Sequence, residues 1–281
     1  MHSPAYRRLQ GKTQLFPGIE SDFFRNRLTH SIEVAQIAKS IALRINATDL
    51  PGKRKTEKID LDLVSLAGMA HDLGHPPFGH NGEKALDYCM KDHGGFEGNA
   101  QTLRILARLE KKGADIAPFS GPGHTDKRVG LNLTYRTLAA ILKYDQVIPI
   151  ESKDRSNPDK ICKGYYFSEV ALVETIKKKI IGRRVKPPKF KTIECQIMDV
   201  ADDIAYSTYD LEDALKAGFI SPMEILADAA NRPLMEKVVD ELNKRSSGKE
   251  YSFTDVIRSL LQLFFATGLF DQDKILGHLS A

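Results

Sequence analysis

Apolar positions recur at helical spacing along most of this chain, and no stretch alternates convincingly enough to mark a strand. From Asn26 to about Ile45, His30, Val34, Ile37 and Ile41 fall on one stripe, which turns His30 toward the core. Leu61 to Ala70 is almost wholly apolar and predicts a helix buried on most sides. Gly74 is a natural C-cap and Pro76-Pro77 forbids continuation, so that helix should stop just after His71-Asp72. Further helices are predicted over Gly82–Lys91, Asn99–Lys112, Leu131–Tyr144, Ser168–Ile181 (Ser168 as N-cap), Thr192–Leu215, Pro222–Lys244 and Phe253–Phe265. In the Thr192 helix the apolar face is Ile193, Ile197, Val200, Ile204 and Leu211. Pro17-Gly18 marks a turn, Asp49–Asp60 a charged loop and Gly113–Gly130 a glycine-rich one. Asp145–Lys163 is polar and irregular, and predicts a long exposed loop. The expected fold class is all-α.

Composition narrows the class without changing it. The chain has 281 residues, 42% apolar and 28% charged, with a formal net charge of +4. That is enough for a large core, and a single helical domain over residues 1–281 is expected. Cys89, Cys162 and Cys195 are widely spaced and form no metal-binding pattern; an odd count without a secretory segment points to a reducing cytoplasm. No apolar run reaches membrane-spanning length. The mild positive charge is compatible with a local phosphate pocket. Basic runs at Lys177–Lys179 and Arg183-Arg184 are ordinarily solvated helix ends.

Candidate chemistry clusters in LDLVSLAGMAHDLGHPPFGH (Leu61–His80). An isolated His-Asp pair is commonplace, but His71, Asp72, His75 and His80 stand together at the end of an apolar helix. Burying imidazole and carboxylate there is costly unless something compensates them, and a divalent cation does so well. In the Thr192 helix, Asp202, Tyr206 and Asp210 recur at i, i+4 and i+8. Taken alone that spacing describes a solvated acidic stripe, whereas the neighbouring Val200, Ala201, Ile204 and Ala205 suggest a covered helix. His30, His71, Asp72 and Asp202 would make a two-histidine, two-carboxylate set suited to Mn²⁺, Mg²⁺, Fe²⁺ or Zn²⁺ with open positions. Three helices would present these ligands inward, as bundle metal sites do.

The order His30, His71-Asp72, Asp202 resembles the signature of the HD-domain metal-dependent phosphohydrolases. Six blocks sharpen the likeness: RRLQGKTQLFPG (Arg7–Gly18), RLTHSIEVAQIA (Arg27–Ala38), AHDLGHPPFGHNGE (Ala70–Glu83), GFEGNAQTLR (Gly95–Arg104), GLNLTYRTLAAILKY (Gly130–Tyr144) and ADDIAYSTYDLEDA (Ala201–Ala214). Together, over about residues 5–220, they resemble the deoxynucleoside triphosphate triphosphohydrolases, or dGTPases. The resemblance implies an HD-domain helical bundle that hydrolyses a dNTP, with dGTP the expected one, to deoxynucleoside and inorganic triphosphate. It implies one divalent metal, Mn²⁺ or Mg²⁺ foremost, on His30, His71, Asp72 and Asp202; such a metal neutralises phosphate oxygens and acidifies water. His80 matches the family's catalytic histidine and Glu83 its acidic companion. By the same resemblance Arg27 would contact phosphate, and Lys143, Tyr144 and Lys163 the triphosphate; His75 would either contact the α-phosphate or cap the preceding turn. Tyr206, Asp210 and Gln10 would hold the deoxyribose, the tyrosine ring filling the place of a 2′-hydroxyl.

Two departures stand out. The chain begins close to the first block and stops at Ala281, so it is expected to be shortened at both ends, with residues 221–281 a truncated helical extension. Parts of the base pocket, oligomer contacts and effector sites would then lie elsewhere. Expected partners are a dNTP substrate, further copies of the chain, and a dNTP or single-stranded nucleic acid as effector, but no membrane. Another nucleotidase or phosphodiesterase of the superfamily needs only the metal quartet; Tyr206 and Asp210 favour the triphosphohydrolase. A non-catalytic dNTP- or nucleic-acid-binding protein is the third reading, against which His80 and Glu83 argue.

Overall fold

The computed structural model describes residues 2–14, 25–48, 58–111, 128–157, 160–182, 190–219, 221, 231–246, 248 and 250–266. The predicted turn at Pro17-Gly18, the Pro51-Gly52 loop, most of Gly113–Gly130 and the start of the Pro222 helix lie outside them. Among the described residues the fold is all-α, apart from one pair of two-residue strands. The chain divides into two compact units, residues 1–208 and 209–281.

In the first unit, α1 (Pro4–Arg8) leads into a 3₁₀ turn (Leu9–Gly11) and then α2 (Arg27–Ala47). Asn26 and Thr29 form a reciprocal capping box that fixes the start of α2. The buried stripe of α2 is mostly small: Ser31, Ala35, Ala38 and Ala42, with His30 and Val34 beside them. Ile37 and Ile41, expected on the core stripe, are only half-buried. Small residues permit a close approach by α3 (Leu61–Ala70), whose start is capped by the Asp60 carboxylate on the Asp62 and Leu63 N–H groups. The contact is tightest at Gly68, where a Cβ would stand 2.6 Å from Ala35 Cα. Only glycine allows these backbones to meet there.

α3 ends at Ala70, earlier than expected, and His71-Asp72 lie in the turn beyond it. Phe78 holds a left-handed φ of 63°, unusual for a bulky side chain, and α4 (Gly79–Met90) starts at once behind it. His80 and Glu83 therefore occupy the first turns of a helix expected to start later. α5 (Gly98–Arg104) continues as a π-helical turn through Leu109. α6 is only Tyr135–Ala140, shorter than expected, so Lys143 and Tyr144 follow it in irregular chain.

The segment expected to be a long exposed loop is anchored at several points. β1 (Val147–Ile148) pairs in parallel with β2 (Tyr165–Tyr166), and Ile148 is buried. Between them, Arg155 makes a buried two-pronged ion pair with Asp87 of α4, at 2.8 and 2.9 Å. A side-chain pairing 68 positions apart carries no local signature, and hence escapes a reading by polarity.

α7 (Val170–Ile181) and α8 (Ile193–Lys216) complete the core. Ser168 does not cap α7; its hydroxyl bonds the Glu169 carboxylate. On α8 the buried side is Cys195, Ile197, Met198, Ala201, Asp202 and Ala205, while Ile193, Val200 and Ile204 are exposed. The expected apolar face is thus rotated: Ile197 stays buried, but Ile193, Val200 and Ile204 point outward, and the small Ala201 and Ala205 admit Asp202 to the interior. In the second unit, α9 (Arg232–Arg245) and α10 (Phe253–Ala266) are joined through Asn243, which bonds both backbone groups of Tyr251.

Candidate functional site

The close α2–α3 crossing brings His30 and His71 to one place, with ring centroids 5.5 Å apart. The Nδ1 of His71 meets the Gly68 carbonyl at 2.6 Å. That bond holds a proton on Nδ1 and turns Nε2 toward the carboxylates. α8 brings in Asp202, whose Oδ1 lies 3.2 Å from His30 Nε2 and 3.4 Å from His71 Nε2. The longer approach lacks hydrogen-bond geometry, so His71 Nε2 is buried without a partner. Asp72 Oδ1 stands 3.8 Å from the same nitrogen. Ligand atoms of His30, His71 and Asp72 all fall within 4.8 Å of one another.

Electrostatics sharpen the case for a cation. Burial opposes charge on His71, but Asp72 and Asp202 outweigh it and push the imidazole up to about 9. Burial likewise opposes ionisation of both aspartates; His71 and Arg27 overcome it at Asp72, and His30 and His71 at Asp202, holding both carboxyls well below their usual range. Two ionised carboxylates thus converge on two imidazoles in the interior, and the positive charge they favour at His71 is one that a divalent ion could supply in place of a proton. The donor set fits a divalent metal held by His30, His71, Asp72 and Asp202.

Around these atoms lies a cavity of about 290 Å³, lined by His71, Asp72, His75, His80, Glu83, Lys143, Tyr144, Lys163, Asp202 and Tyr206 among others. Most residues singled out from sequence therefore share one space. The His75 imidazole is lowered to about 4, by burial first and then by the Arg27 and Lys12 cations, and its buried Nε2 has no hydrogen-bond partner. His80 is the exception to burial: its side chain is 77% exposed, with Nδ1 3.3 Å from Glu83 Oε2. Glu83 is buried; its other oxygen accepts from the Gly98 N–H at 3.0 Å and from Lys163 Nζ at 3.3 Å.

Other expected residues sit differently. Arg27 is buried outside the cavity lining, its Nη1 donating to Asp72 Oδ2 and to the Tyr206 hydroxyl, both at 2.8 Å. Its direct partners are thus a candidate metal ligand and a candidate sugar contact. Gln10 is exposed on the 3₁₀ turn and does not line the cavity; nearby Lys12 donates to the His75 carbonyl at 2.5 Å. Asp210 lies two turns beyond Asp202 on α8, half-buried and within the second unit.

Sequence reasoning missed several supporting groups. Glu97 is fully buried and accepts from the Ala100 N–H, Asn99 Nδ2 and Lys163 Nζ. Asp199 lies 2.7 Å from Lys143 Nζ and also pairs with Lys191. Asp199 stands one turn before Asp202 and Glu97 lies two residues before a predicted helix, and these positions were the available signals.

The HD domain family model matches residues 27–207, which span α2 to α8 and all four candidate ligands. The chain belongs to the HD-domain family. Within this HD family, it is 58% identical over 232 residues to a deoxyguanosinetriphosphate triphosphohydrolase-like protein 2 of Mesorhizobium japonicum, covering 81% of this chain and 46% of that one. A deoxyguanosinetriphosphate triphosphohydrolase-like protein of Histophilus somni is 34% identical, with 94% of this chain and 68% of that one aligned. One of Vibrio cholerae is 37% identical over 93% of this chain and 64% of its own length. This HD protein therefore spans about half to two-thirds of those relatives. No helix among its described residues is long and apolar enough to cross a membrane.

Proposed function

We propose that the protein is a metal-dependent dNTP triphosphohydrolase that cleaves between the 5′ oxygen and the α-phosphorus, releasing deoxynucleoside and inorganic triphosphate. One observation carries the reading: a buried two-histidine, two-carboxylate cluster opens onto a cavity that also holds a His–Glu pair and two lysines. The names of the relatives support dGTP as the substrate. His30, His71, Asp72 and Asp202 would hold one divalent ion, Mn²⁺ or Mg²⁺, whose chemistry there is phosphate polarisation and acidification of water.

The remaining chemistry belongs to the chain's own groups. Water adds to the α-phosphorus, the P–O5′ bond breaks, and the departing 5′ oxygen needs a proton. His80 lines the cavity and would supply it, with Glu83 beside its Nδ1. Lys143, Lys163 and Tyr144 line the same cavity and meet the phosphate chain. Tyr206, fixed by the Arg27 guanidinium, stands where a deoxyribose is tolerated and a 2′-hydroxyl is refused.

Product analysis over all four dNTPs, with and without added Mn²⁺ or Mg²⁺, tests this. Tripolyphosphate and deoxynucleoside in equal amounts are expected. Orthophosphate or pyrophosphate would instead identify another nucleotidase or phosphodiesterase of the superfamily.

A further inference from the structure

Both cavity lysines are held in the same way. Lys143 Nζ lies 3.4 Å from Oδ2 of the candidate ligand Asp202, and 2.7 Å from Asp199, which does not line the cavity. Lys163 Nζ lies 3.3 Å from Glu83, the partner of His80, and 3.1 Å from Glu97, which is likewise outside the lining. Each ammonium thus stands between one carboxylate of the reactive machinery and one behind it. An ammonium has three N–H donors. Two are engaged by carboxylates, and the third is left for the cavity that both lysines line.

Without the rear carboxylate, each lysine would have one nearby anion, and that anion is a group the reaction needs. It would close on Asp202 or Glu83, compete for their lone pairs and turn away from the phosphates. Neither rear carboxylate is a bare negative charge that would repel a polyphosphate. Asp199 is also paired with Lys191, and Glu97 also accepts from the Ala100 N–H and the Asn99 amide, both at 2.8 Å.

We propose that Asp199 and Glu97 are positioning residues that hold Lys143 and Lys163 off Asp202 and Glu83 and present both ammonium groups to the phosphate chain. The inference rests on the triphosphohydrolase reading of the cavity.

Its test is the affinity of the full chain for inorganic tripolyphosphate, measured calorimetrically at fixed free Mg²⁺, beside steady-state kinetics. Asp199→Asn should weaken tripolyphosphate binding roughly tenfold, the scale of one charge-assisted hydrogen bond. KM for the dNTP should rise by a similar factor while kcat changes less than about threefold, because the loss is in ground-state binding. Affinity for the phosphate-free deoxynucleoside should not change. In a Lys143→Ala background the Asp199→Asn effect should vanish, since the carboxylate acts through that lysine. Glu97→Gln should behave likewise through Lys163; Asp199 is the more exposed of the two, so its variant keeps the test valid if Glu97→Gln fails to fold. Unchanged or tighter tripolyphosphate binding by folded Asp199→Asn would overturn the inference, as would an undiminished effect without Lys143. If the unsubstituted protein binds no tripolyphosphate at all, the functional reading falls with it.

Discussion

The two ends of the cavity are built on opposite principles. At one end, the candidate metal ligands His30 on α2, His71 in the turn after α3 and Asp202 on α8 are 1%, 8% and 6% exposed. They are placed by backbone contacts that side-chain motion cannot relax, above all the Gly68–Ala35 crossing. At the other end, His80, the proposed proton donor, is 77% exposed and held by one neighbour three residues along its own helix. A metal centre needs fixed distances, whereas a proton donor needs access to a group that arrives with the substrate. Rigidity is therefore concentrated around the candidate metal ligands.

That contrast can be broken from either side. The largest effect is expected at the ligands: His71→Ala or Asp202→Asn should lower turnover by about 10³-fold or more and abolish bound metal, read by elemental analysis. His80→Gln should also lower turnover, by roughly 10²- to 10⁴-fold, yet leave metal content intact. Loss of metal in that variant would erase the distinction between the ends. Next, Gly68→Val should destabilise by about 3 kcal/mol through overpacking against α2, and metal affinity should fall with the melting temperature. Arg155→Met removes the partner of buried Asp87 and should destabilise by roughly 3 kcal/mol in chemical denaturation, while the surviving folded protein still takes up metal.

The smallest effect is electrostatic. Burial alone would raise the Glu83 carboxyl, but the Gly98 N–H and Lys163 lower it below its ordinary value of 4.5. A depressed carboxyl contributes stability that is complete above its unfolded value and is lost as pH falls through its folded value. Below pH 4.5, the melting temperature of the unsubstituted protein should therefore decline more steeply than that of Glu83→Gln.

What sequence made legible follows the range of the interactions. Helices α2, α3, α7 and α8 were readable because their apolar periodicity is local, and the residues that line the cavity were readable by resemblance. The rotation of α8 was not: hydrophobicity favoured Val200 and Ile204, but close packing selected Ala201 and Ala205 because they leave room for Asp202. Arg155 looked like one more loop cation, since nothing near it in the chain announces Asp87. Asp199 and Glu97 escaped for a related reason. Their role appears only when Lys143 and Lys163, far off in sequence, arrive beside them.

The short parallel pairing of Val147–Ile148 with Tyr165–Tyr166 works as a clasp: the chain leaves and re-enters the helical body at neighbouring points. Lengthening the excursion between those points adds only about 0.6 kcal/mol of closure entropy per doubling. The enclosed span still carries Arg155 to Asp87 and Lys163 to Glu83, so this scaffold can accept new sequence there only where both pairings are left in place.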